Sequence, residues 1–263
     1  MAIETKQYTP QFTVSKVKVD GDLFGNRVKL DRGNFICLSA RPGMGKTSLA
    51  LHMAMEYAKK SGETVYILSL DLTAEEVYLR MACTLGEVDV MSMQRGTLGD
   101  AEKERVEQAT AQLKQMDIII DDPLILSASQ AVSRIEKLDH VGMVVIDDGR
   151  GLLPTFDKAM PLVFKHFCER KHIPLLYTHH LTRKMEKRRD KHPRLKDLED
   201  MPTLVREADT ILFLHRDAYY SGYSRERDIA QIIIAKNRYD NPCTVLCGWN
   251  SRFMKFSKGI SGT

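Results

Sequence analysis

One segment of the sequence combines residue types and a spacing that are typical of phosphate binding. An apolar run at residues 35–38 leads into the loop Ala-Arg-Pro-Gly-Met-Gly-Lys-Thr, and a helix-like stretch follows at residues 48–60. The backbone N–H groups of such a loop can surround polyphosphate oxygens, while the lysine neutralises the outer phosphates and the hydroxyl ligates magnesium. The sequence therefore predicts a site for a nucleoside triphosphate and Mg²⁺. Its predicted members are Arg41, Pro42, Gly43, Met44, Gly45, Lys46, Thr47 and Ser48, with Thr47 on the metal.

Two acidic residues stand at the ends of apolar, strand-like runs. Asp147 ends the run at residues 142–146, in the position where a phosphate-loop ATPase holds magnesium. Asp71 follows the run at residues 65–70, where its carboxylate could orient and deprotonate an attacking water. The same residue could instead help to start the next helix, because the amides at a helix N-terminus favour an acid. The residues alone leave both roles for Asp71 open.

Basic residues are concentrated in two places. Lys236 and Arg238 are one residue apart on an extended segment, so both can face one anion, such as a phosphate on a neighbouring subunit; the alternative is a solvated strand end. Residues 183–196, called the basic segment below, carry eight basic residues against Glu186 and Asp190 and have no aromatic residue. The segment is predicted to bind nucleic-acid phosphates, or else to be a solvated or partner-binding loop. The residues assigned to nucleic acid are Arg183, Lys184, Lys187, Arg188, Arg189, Lys191 and Arg194.

The elements that must position these residues follow a regular order. From residue 33 to about residue 210, strand-like runs alternate with helical stretches, which is typical of a parallel sheet covered by helices. Three strand-like runs, at residues 229–235, 244–249 and 252–256, then predict antiparallel strands. Thr73, followed three residues later by Glu76, predicts a capping box at the start of one of the helices, and Gly86 is predicted to end that helix. We therefore predict an α/β domain at residues 33–257, preceded by an N-terminal extension at residues 1–32 and followed by a C-terminal tail at residues 258–263.

Length and composition narrow the class of protein. The chain has 263 residues, 43 % of them hydrophobic, which suits one large domain. Because the net charge is only +4, any nucleic-acid contact must come from a local patch. The five cysteines are scattered and odd in number, which predicts reduced thiols in a cytoplasmic protein and shows no zinc-ligand spacing. No apolar run reaches eighteen residues, so no membrane span is expected.

Four motifs together resemble the DnaB-type replicative DNA helicases. The phosphate loop at residues 39–47 has the family's alanine, Ala40, where other phosphate loops have glycine. Residues 69–75 are similar to the family's Ser-Leu-Glu-Met-Ser-Ala-Glu, residues 207–220 to its Asp-Ala-Asp to Arg-Asp-Glu-Tyr-Tyr segment, and residues 232–238 to its Ile-Ile-x-Lys-x-Arg strand. The resemblance implies the family's C-terminal motor domain, a RecA-like phosphate-loop NTPase core with a mainly parallel twisted sheet.

This resemblance also implies an assembly and roles for single residues. It implies a hexameric ring with ATP at the subunit interfaces, single-stranded DNA in the central channel and other replication proteins as partners. Lys236 and Arg238 are then expected to act on the γ-phosphate held by the neighbouring subunit, and Asp71 takes the place of the family's catalytic glutamate. His180 falls where a glutamine that senses the γ-phosphate is expected. The family's separate N-terminal collar domain is expected to be absent, since only 32 residues precede the core.

Three functions are compatible with these motifs. The first is an ATP-dependent DNA helicase or helicase-like motor. The second is a diverged nucleotide-binding relative that loads or regulates a helicase with weak or no ATPase activity, as favoured by Asp71, His180 and the acidic Glu199-Asp200 where the family has an arginine. The third is a recombinase-like ATPase that coats single strands. Closed rings are expected for the motor and filaments for the third class.

Overall fold

A computed structural model describes residues 21–24, 27–30, 33–152, 159–221 and 227–258. Strands of the described part form one sheet with the order β3-β2-β4-β5-β1-β6-β7-β8-β9. Their bounds are β1 Phe35–Ala40, β2 Thr64–Ser69, β3 Ile118–Asp121, β4 Val141–Asp147, β5 Leu175–His180, β6 Thr210–His215, β7 Ile229–Asn237, β8 Cys243–Asn250 and β9 Lys255–Ser257. The α-helices are α1 Gly21–Phe24, α2 Lys46–Ser61, α3 Ala74–Gly86, α4 Val90–Gln94, α5 Asp100–Lys114, α6 Ala128–Ile135, α7 Met160–Lys171, α8 Pro202–Glu207 and α9 Asp217–Tyr220.

The sheet has a parallel part and an antiparallel part, as predicted. Strands β1 to β6 pair in parallel, while β7, β8 and β9 continue the sheet antiparallel from β6. All carboxyl ends of the parallel strands therefore meet at one edge, called the carboxyl edge below, and the starts of these strands lie at the opposite amino edge. In open α/β sheets ligands bind outside the carboxyl ends of the strands. The turn from β1 to α2, which contains the predicted phosphate loop, lies at this carboxyl edge.

Two large hydrophobic clusters cover the two faces of the sheet. On β1, Ile36 and Leu38 belong to the cluster under α2 and α3, and Phe35 and Cys37 belong to the cluster under α6 and α7. This alternation follows from the two-residue period of a strand, which sends neighbouring side chains to opposite faces. The central strands are buried on both faces, which fixes the positions of their carboxyl ends.

The ends of α3 agree with the sequence prediction. The Thr73 hydroxyl accepts a hydrogen bond from the Glu76 N–H at 3.2 Å, and the Glu76 carboxylate accepts one from the Thr73 N–H at 2.9 Å. This reciprocal capping box satisfies two N–H groups that have no partner within the helix. The helix ends at Gly86, as predicted.

One strand prediction is wrong in part. The pattern at residues 252–256 predicts a strand, but only Lys255–Ser257 forms one. Asn250 Oδ1 accepts hydrogen bonds from the N–H groups of Arg252 and Phe253 at 3.0 and 3.2 Å, so the asparagine side chain closes a turn at this point. Met254 leaves the turn with a φ of 51°, and the sheet resumes after it.

The described part of the predicted N-terminal extension packs against the domain. Phe24, Val28 and Leu30 are buried in the cluster under α2 and α3. Residues 1–20, 25–26 and 31–32, and the predicted tail beyond residue 258, lie outside the described residues. The boundary at residue 33 stays a prediction. Within the described ranges, no helix has the length and apolar character that crossing a membrane requires.

Candidate nucleotide-binding site

The loop between β1 and α2 depends on two glycines. Gly43 has a φ of 78° and Gly45 a φ of 99°, in the left-handed region that side chains disfavour. A Cβ on Gly45 would lie 3.0 Å from Trp249 Cη2, and one on Gly43 would lie 3.1 Å from Tyr219 Cε2. Both the backbone conformation and the space therefore require glycine. The helix begins at once, since the Leu49 N–H donates to the Gly45 carbonyl at 2.9 Å.

A buried network connects the loop to β4 and β5. Lys46 Nζ donates to Thr178 Oγ1 at 3.0 Å and lies 3.8 Å from Asp147 Oδ1. Thr47 Oγ1 and Thr178 Oγ1 each donate to one oxygen of the Asp147 carboxylate, both at 2.8 Å. Lys46 is 5 % exposed and Asp147 2 % exposed. The structure thus brings together the predicted cation, the predicted magnesium hydroxyl and the predicted magnesium carboxylate.

Sequence reasoning missed Thr178, the centre of this network. Its hydroxyl donates to Asp147 and accepts from Lys46 and from the Asp148 N–H, the last at 2.8 Å. One donor and two acceptor positions are the full capacity of a hydroxyl, so Thr178 is saturated. The signal in the sequence was weak, because one hydroxyl at the end of an apolar strand is common. Its importance comes from β5 lying between β1 and β4.

An open cleft of about 520 Å³ lies above this network. Its lining joins most of the predicted nucleotide residues to Asp71 and His180, which come from the ends of β2 and β5. Met44 is instead buried in the core and Asp147 lies beneath the cleft. The lining consists of Arg41, Pro42, Gly43, Gly45, Lys46, Thr47, Ser48, Asp71, Arg80, Asp148, His180, Arg216, Trp249, Ser251 and Met254.

Asp71 does not start a helix. Thr73 is the N-cap of α3, and the Ala74 N–H donates to Asp122 Oδ2 at 2.8 Å. The alternative role for Asp71 left open by the sequence is therefore wrong. Asp71 is exposed on the cleft wall, and no hydrogen bond or ion pair joins its side chain to another described residue.

His180 and Asp148 lie together in the lining of the same cleft. His180 Nε2 is 3.5 Å from Asp148 Oδ2, and the Asp148 side chain is buried. Asp148 has a φ of 57°, a conformation that non-glycine residues rarely adopt, directly after the magnesium candidate Asp147. The imidazole therefore stands next to a carboxylate at the mouth of the predicted phosphate site.

The side chain of Arg41 forms hydrogen bonds within the chain. Its Nη1 donates to the Leu181 carbonyl at 2.6 Å and its Nε to Glu186 Oε1 at 2.8 Å. The guanidinium is therefore engaged with the residues after β5, so the prediction of Arg41 as a nucleotide residue rests on its backbone. The Arg41 backbone remains part of the loop.

Arg216 and Trp249 were missed as site residues, although Arg216 belongs to a motif of the resemblance. The guanidinium of Arg216 lies 5.0 Å from the centre of the Trp249 ring, and its Nη2 donates to the Gly43 carbonyl at 3.3 Å. Burial lowers the pKa of Arg216. The face of the Trp249 ring has the opposite effect, because it attracts the charged guanidinium. The antiparallel strand β8 brings Trp249 to the loop, and no local pattern indicates this contact.

The family model described as DnaB-like helicase C terminal domain matches residues 26–258. The chain belongs to this family. The replicative DNA helicase DnaB of Geobacillus stearothermophilus is 30 % identical over 237 residues, which are 86 % of this chain and 52 % of that protein. The replicative DNA helicase DnaC of Bacillus subtilis is 29 % identical over the same shares. The chain thus spans about half the length of these curated relatives.

Solved structures agree with this family assignment. One solved ATPase domain superposes with a TM-score of 0.81 and 26 % identity over 86 % of this chain and 85 % of that one. A DnaB-like replicative helicase, solved to show its interactions with primase, has a TM-score of 0.82 and 26 % identity over 87 % of this chain and 58 % of that one. The predicted RecA-like α/β core is confirmed.

Lys236 and Arg238 lie far from the cleft of this DnaB-like domain. Lys236 Nζ donates to the carbonyls of Val205 and Arg206 at 2.9 and 3.0 Å, at the end of α8. Arg238 Nη1 lies 2.8 Å from Asp209 Oδ1, directly before β6. Both cations are therefore at the amino edge. Since β6 has six residues at about 3.3 Å each, roughly 20 Å separates them from the carboxyl edge.

The basic segment of the DnaB-like domain divides into engaged and free cations. Arg188 forms a two-pronged ion pair with Asp197 at 2.7 and 2.9 Å, and Lys191 donates to two carbonyls of the segment. Arg194 pairs with Asp190 and Lys184 with Glu199. Among the described residues, Arg183, Lys187 and Arg189 are exposed and make no side-chain hydrogen bond or ion pair. The assignment of all seven to nucleic acid stays a prediction, best supported at these three.

Proposed function

We propose that this domain is an ATP-dependent helicase-type motor that hydrolyses ATP at the interfaces of a ring and moves on single-stranded DNA. The observation that carries the proposal is the buried Lys46–Thr178–Asp147–Thr47 network beneath the phosphate loop. An ammonium, a hydroxyl and a carboxylate at these positions are what magnesium and the outer phosphates of ATP require. The network therefore fits Mg²⁺ and ATP as cofactors.

Each residue of the cleft has a distinct part in this proposal. The loop backbone and Lys46 would hold the phosphates, and Thr47 and Asp147 would hold Mg²⁺, which would supply positive charge to the transferred group. The exposed carboxylate of Asp71 orients the attacking water. His180 donates a hydrogen bond toward the γ-phosphate, in the place of the glutamine of the family.

The position of Lys236 and Arg238 favours an assembly. Both cations lie at the amino edge, so they can meet a γ-phosphate only on a neighbouring chain whose carboxyl edge faces them. A closed ring repeats this head-to-tail contact without free ends. We propose a hexamer, with Arg183, Lys187 and Arg189 facing the DNA backbone.

The partners and the location follow as parts of the same proposal. One structural neighbour is described by its interactions with primase. We propose that this domain likewise works with other replication proteins, in the cytoplasm.

Steady-state ATP hydrolysis with and without single-stranded DNA tests the proposal, with light scattering to report the oligomer. DNA-stimulated turnover is expected, and Lys46→Ala should lower it about a hundredfold or more, because the outer phosphates lose their cation. Lys59→Ala is the matched control, since Lys59 is an exposed residue at the other end of α2. Tight ATP binding without turnover would contradict the motor and favour a loader or regulator that uses ATP as a switch.

A further inference from the structure

A second cluster of potential ligands lies outside the nucleotide cleft. Among the described residues, His192, His215 and Asp217 form the one group of three in which each His, Cys, Asp or Glu can offer a ligand atom within 4.8 Å of the other two. His192 comes from the basic segment, His215 ends β6 and Asp217 begins α9. The two imidazole rings are 4.4 Å apart between their centres.

The burial of His215 leaves a polar atom unexplained. His215 is fully buried, and its Nε2 lies 3.1 Å from Asp217 Oδ1. Its Nδ1 is also buried and has no hydrogen-bond partner among the described residues. The nitrogen that lies next to Asp217 is Nε2, so Nε2 and not Nδ1 is the atom that an ion shared with Asp217 would take. The His215–Asp217 pair alone does not explain the second imidazole beside it.

The outer partners of the cluster orient its ligand atoms. His192 Nδ1 is 2.7 Å from Asp190 Oδ1, which leaves Nε2 as the free nitrogen of that ring. Gln231 Nε2 donates to Asp217 Oδ2 at 2.7 Å, which leaves Oδ1 on the side of His215. Histidine ligands of metals almost always bond a carboxylate or carbonyl through the other ring nitrogen. The arrangement of Asp190 with His192 has this form.

We propose that His192, His215 and Asp217 bind a divalent transition metal, with Zn²⁺ as the best chemical match. Two imidazoles and a carboxylate are a common zinc set, and water completes the tetrahedron. Ligands at about 2.0–2.1 Å from the metal are roughly 3.3 Å apart, so small side-chain movements close the site. The His192 side chain is 42 % exposed, which lets the ion reach the site from solvent.

Such a metal would bind the basic segment to the sheet through its ligands His192 and His215. The segment is joined to β6 through His192, and β6 runs directly into Arg216 on the wall of the nucleotide cleft. The metal site is therefore structural, and it uses none of the residues assigned to ATP or to nucleic acid. It is independent of ATP hydrolysis, and its failure leaves the proposed motor untouched.

Titration of the full chain with Co²⁺, in the presence of excess Mg²⁺ to occupy the Asp147 site, tests this proposal. We expect one Co²⁺ per chain with the visible absorption of a tetrahedral site, no thiolate charge-transfer band, and displacement by Zn²⁺. His192→Asn should abolish this band. His172→Asn is the matched control and should keep it, because His172 ends α7 in a left-handed conformation that asparagine tolerates. Asp190→Asn should weaken binding about 10- to 100-fold.

Thermal unfolding provides a measurement that does not depend on the colour of the metal. Zn²⁺ should raise the Tm of the wild-type chain and of His172→Asn, and leave that of His192→Asn unchanged, since only a metal that binds the folded state stabilises it. Circular dichroism without metal verifies that His192→Asn is folded. Binding of equal strength in His192→Asn, a thiolate band, or no binding by the wild-type chain would each overturn the proposal.

Discussion

The two edges of the parallel sheet are built in opposite ways. At the carboxyl edge, Lys46, Thr47, Thr178 and Asp147 form a closed network under an open cleft, so one chain supplies most of the candidate nucleotide site. At the amino edge, Lys236 and Arg238 are held by a helix end and a buried acid, with no cleft beside them that joins them to the phosphate loop within the described residues. The residues of the first edge contact one another within one chain, whereas those of the second could reach a nucleotide only on another chain, as the proposed ring provides.

This difference bears on the proposed ring, because the cations of the amino edge are held in place within one chain. The amino edge is organised by Asp209, which is fully buried. Its carboxylate accepts hydrogen bonds from Lys165 Nζ at 2.7 Å and from the Phe35 N–H at 2.9 Å, and it forms an ion pair with Arg238 at 2.8 Å. Burial and the charge of Arg238 lower the pKa of Lys236. The fold thus positions both cations within a single chain. In the proposed ring, the phosphates held by a neighbouring chain would lie beside them.

Mixing two inactive variants gives the largest expected effect. Lys46→Ala lacks its own phosphate cation, and Arg238→Ala lacks the cation proposed to act on the neighbour. If the two edges act across an interface, mixed rings contain some intact sites, and ATP hydrolysis should rise from near zero to well above that of either variant alone. The measurement is steady-state turnover against mixing ratio. A mixture that is no more active than either variant alone would mean that Lys46 and Arg238 do not act across an interface, and the contrast between the two edges would then not explain activity.

Replacing the acid at the amino edge should strongly destabilise the fold. Asp209→Asn leaves the buried Lys165 without its nearest carboxylate, and breaking a buried ion pair in this way costs about 3–5 kcal/mol. Urea unfolding measures the loss. Asp240→Asn is the control, since its pair with Arg27 is exposed at 3.9 Å and should change stability by less than about 1 kcal/mol. Equal effects of the two changes would mean that Asp209 does not organise this edge.

The carboxyl edge is tested by a pair of glycine substitutions. Gly45→Ala introduces both a strained φ and a contact at 3.0 Å with Trp249, whereas Gly62→Ala has a φ of 67° and nothing within 4 Å. We expect a loss of about 1 kcal/mol at Gly62 and about 2–3 kcal/mol at Gly45, in addition to impaired ATP binding. The difference in the free energy of unfolding isolates the crowding by the aromatic ring. Similar losses at both positions would show that Trp249 does not restrict the loop.

The smallest expected effect is a dependence of stability on pH through α2. Burial, with the nearby charge of Lys255, lowers the pKa of His52 from 6.5 to about 4. Between these two pH values the unfolded chain binds more protons than the folded one, so stability falls as the pH is lowered from about 6.5 to about 4. The full shift corresponds to about 3 kcal/mol, and the partial exposure of His52 makes its contribution smaller.

His52→Gln isolates this contribution from that of the carboxylates. Urea unfolding at pH 7 and pH 4.5 should show a smaller difference for His52→Gln than for the wild-type chain, because glutamine does not titrate. The same difference in both proteins would mean that His52 keeps an ordinary pKa in the folded state.

The sequence was sufficient for the fold class and for the parts of the site that are local in the chain. Strand and helix periods predicted the parallel sheet, the capping box at Thr73 and the start of α2, because these depend on residues a few positions apart. The partial failure at residues 252–256 has a local cause as well, since the Asn250 side chain closes a turn where the apolar pattern alone indicated a strand.

What the sequence by itself determined was therefore the family, the order of elements and the candidate residues for phosphate and magnesium. Tertiary structure decided which of these residues meet and which are already engaged. Strand order placed Thr178 between Lys46 and Asp147, brought Trp249 and Arg216 to the loop, and separated Lys236 and Arg238 from it. Packing likewise engaged Arg41 with Glu186 and Arg188 with Asp197. These contacts join residues distant in the chain, and no local spacing encodes a distance set by strand order.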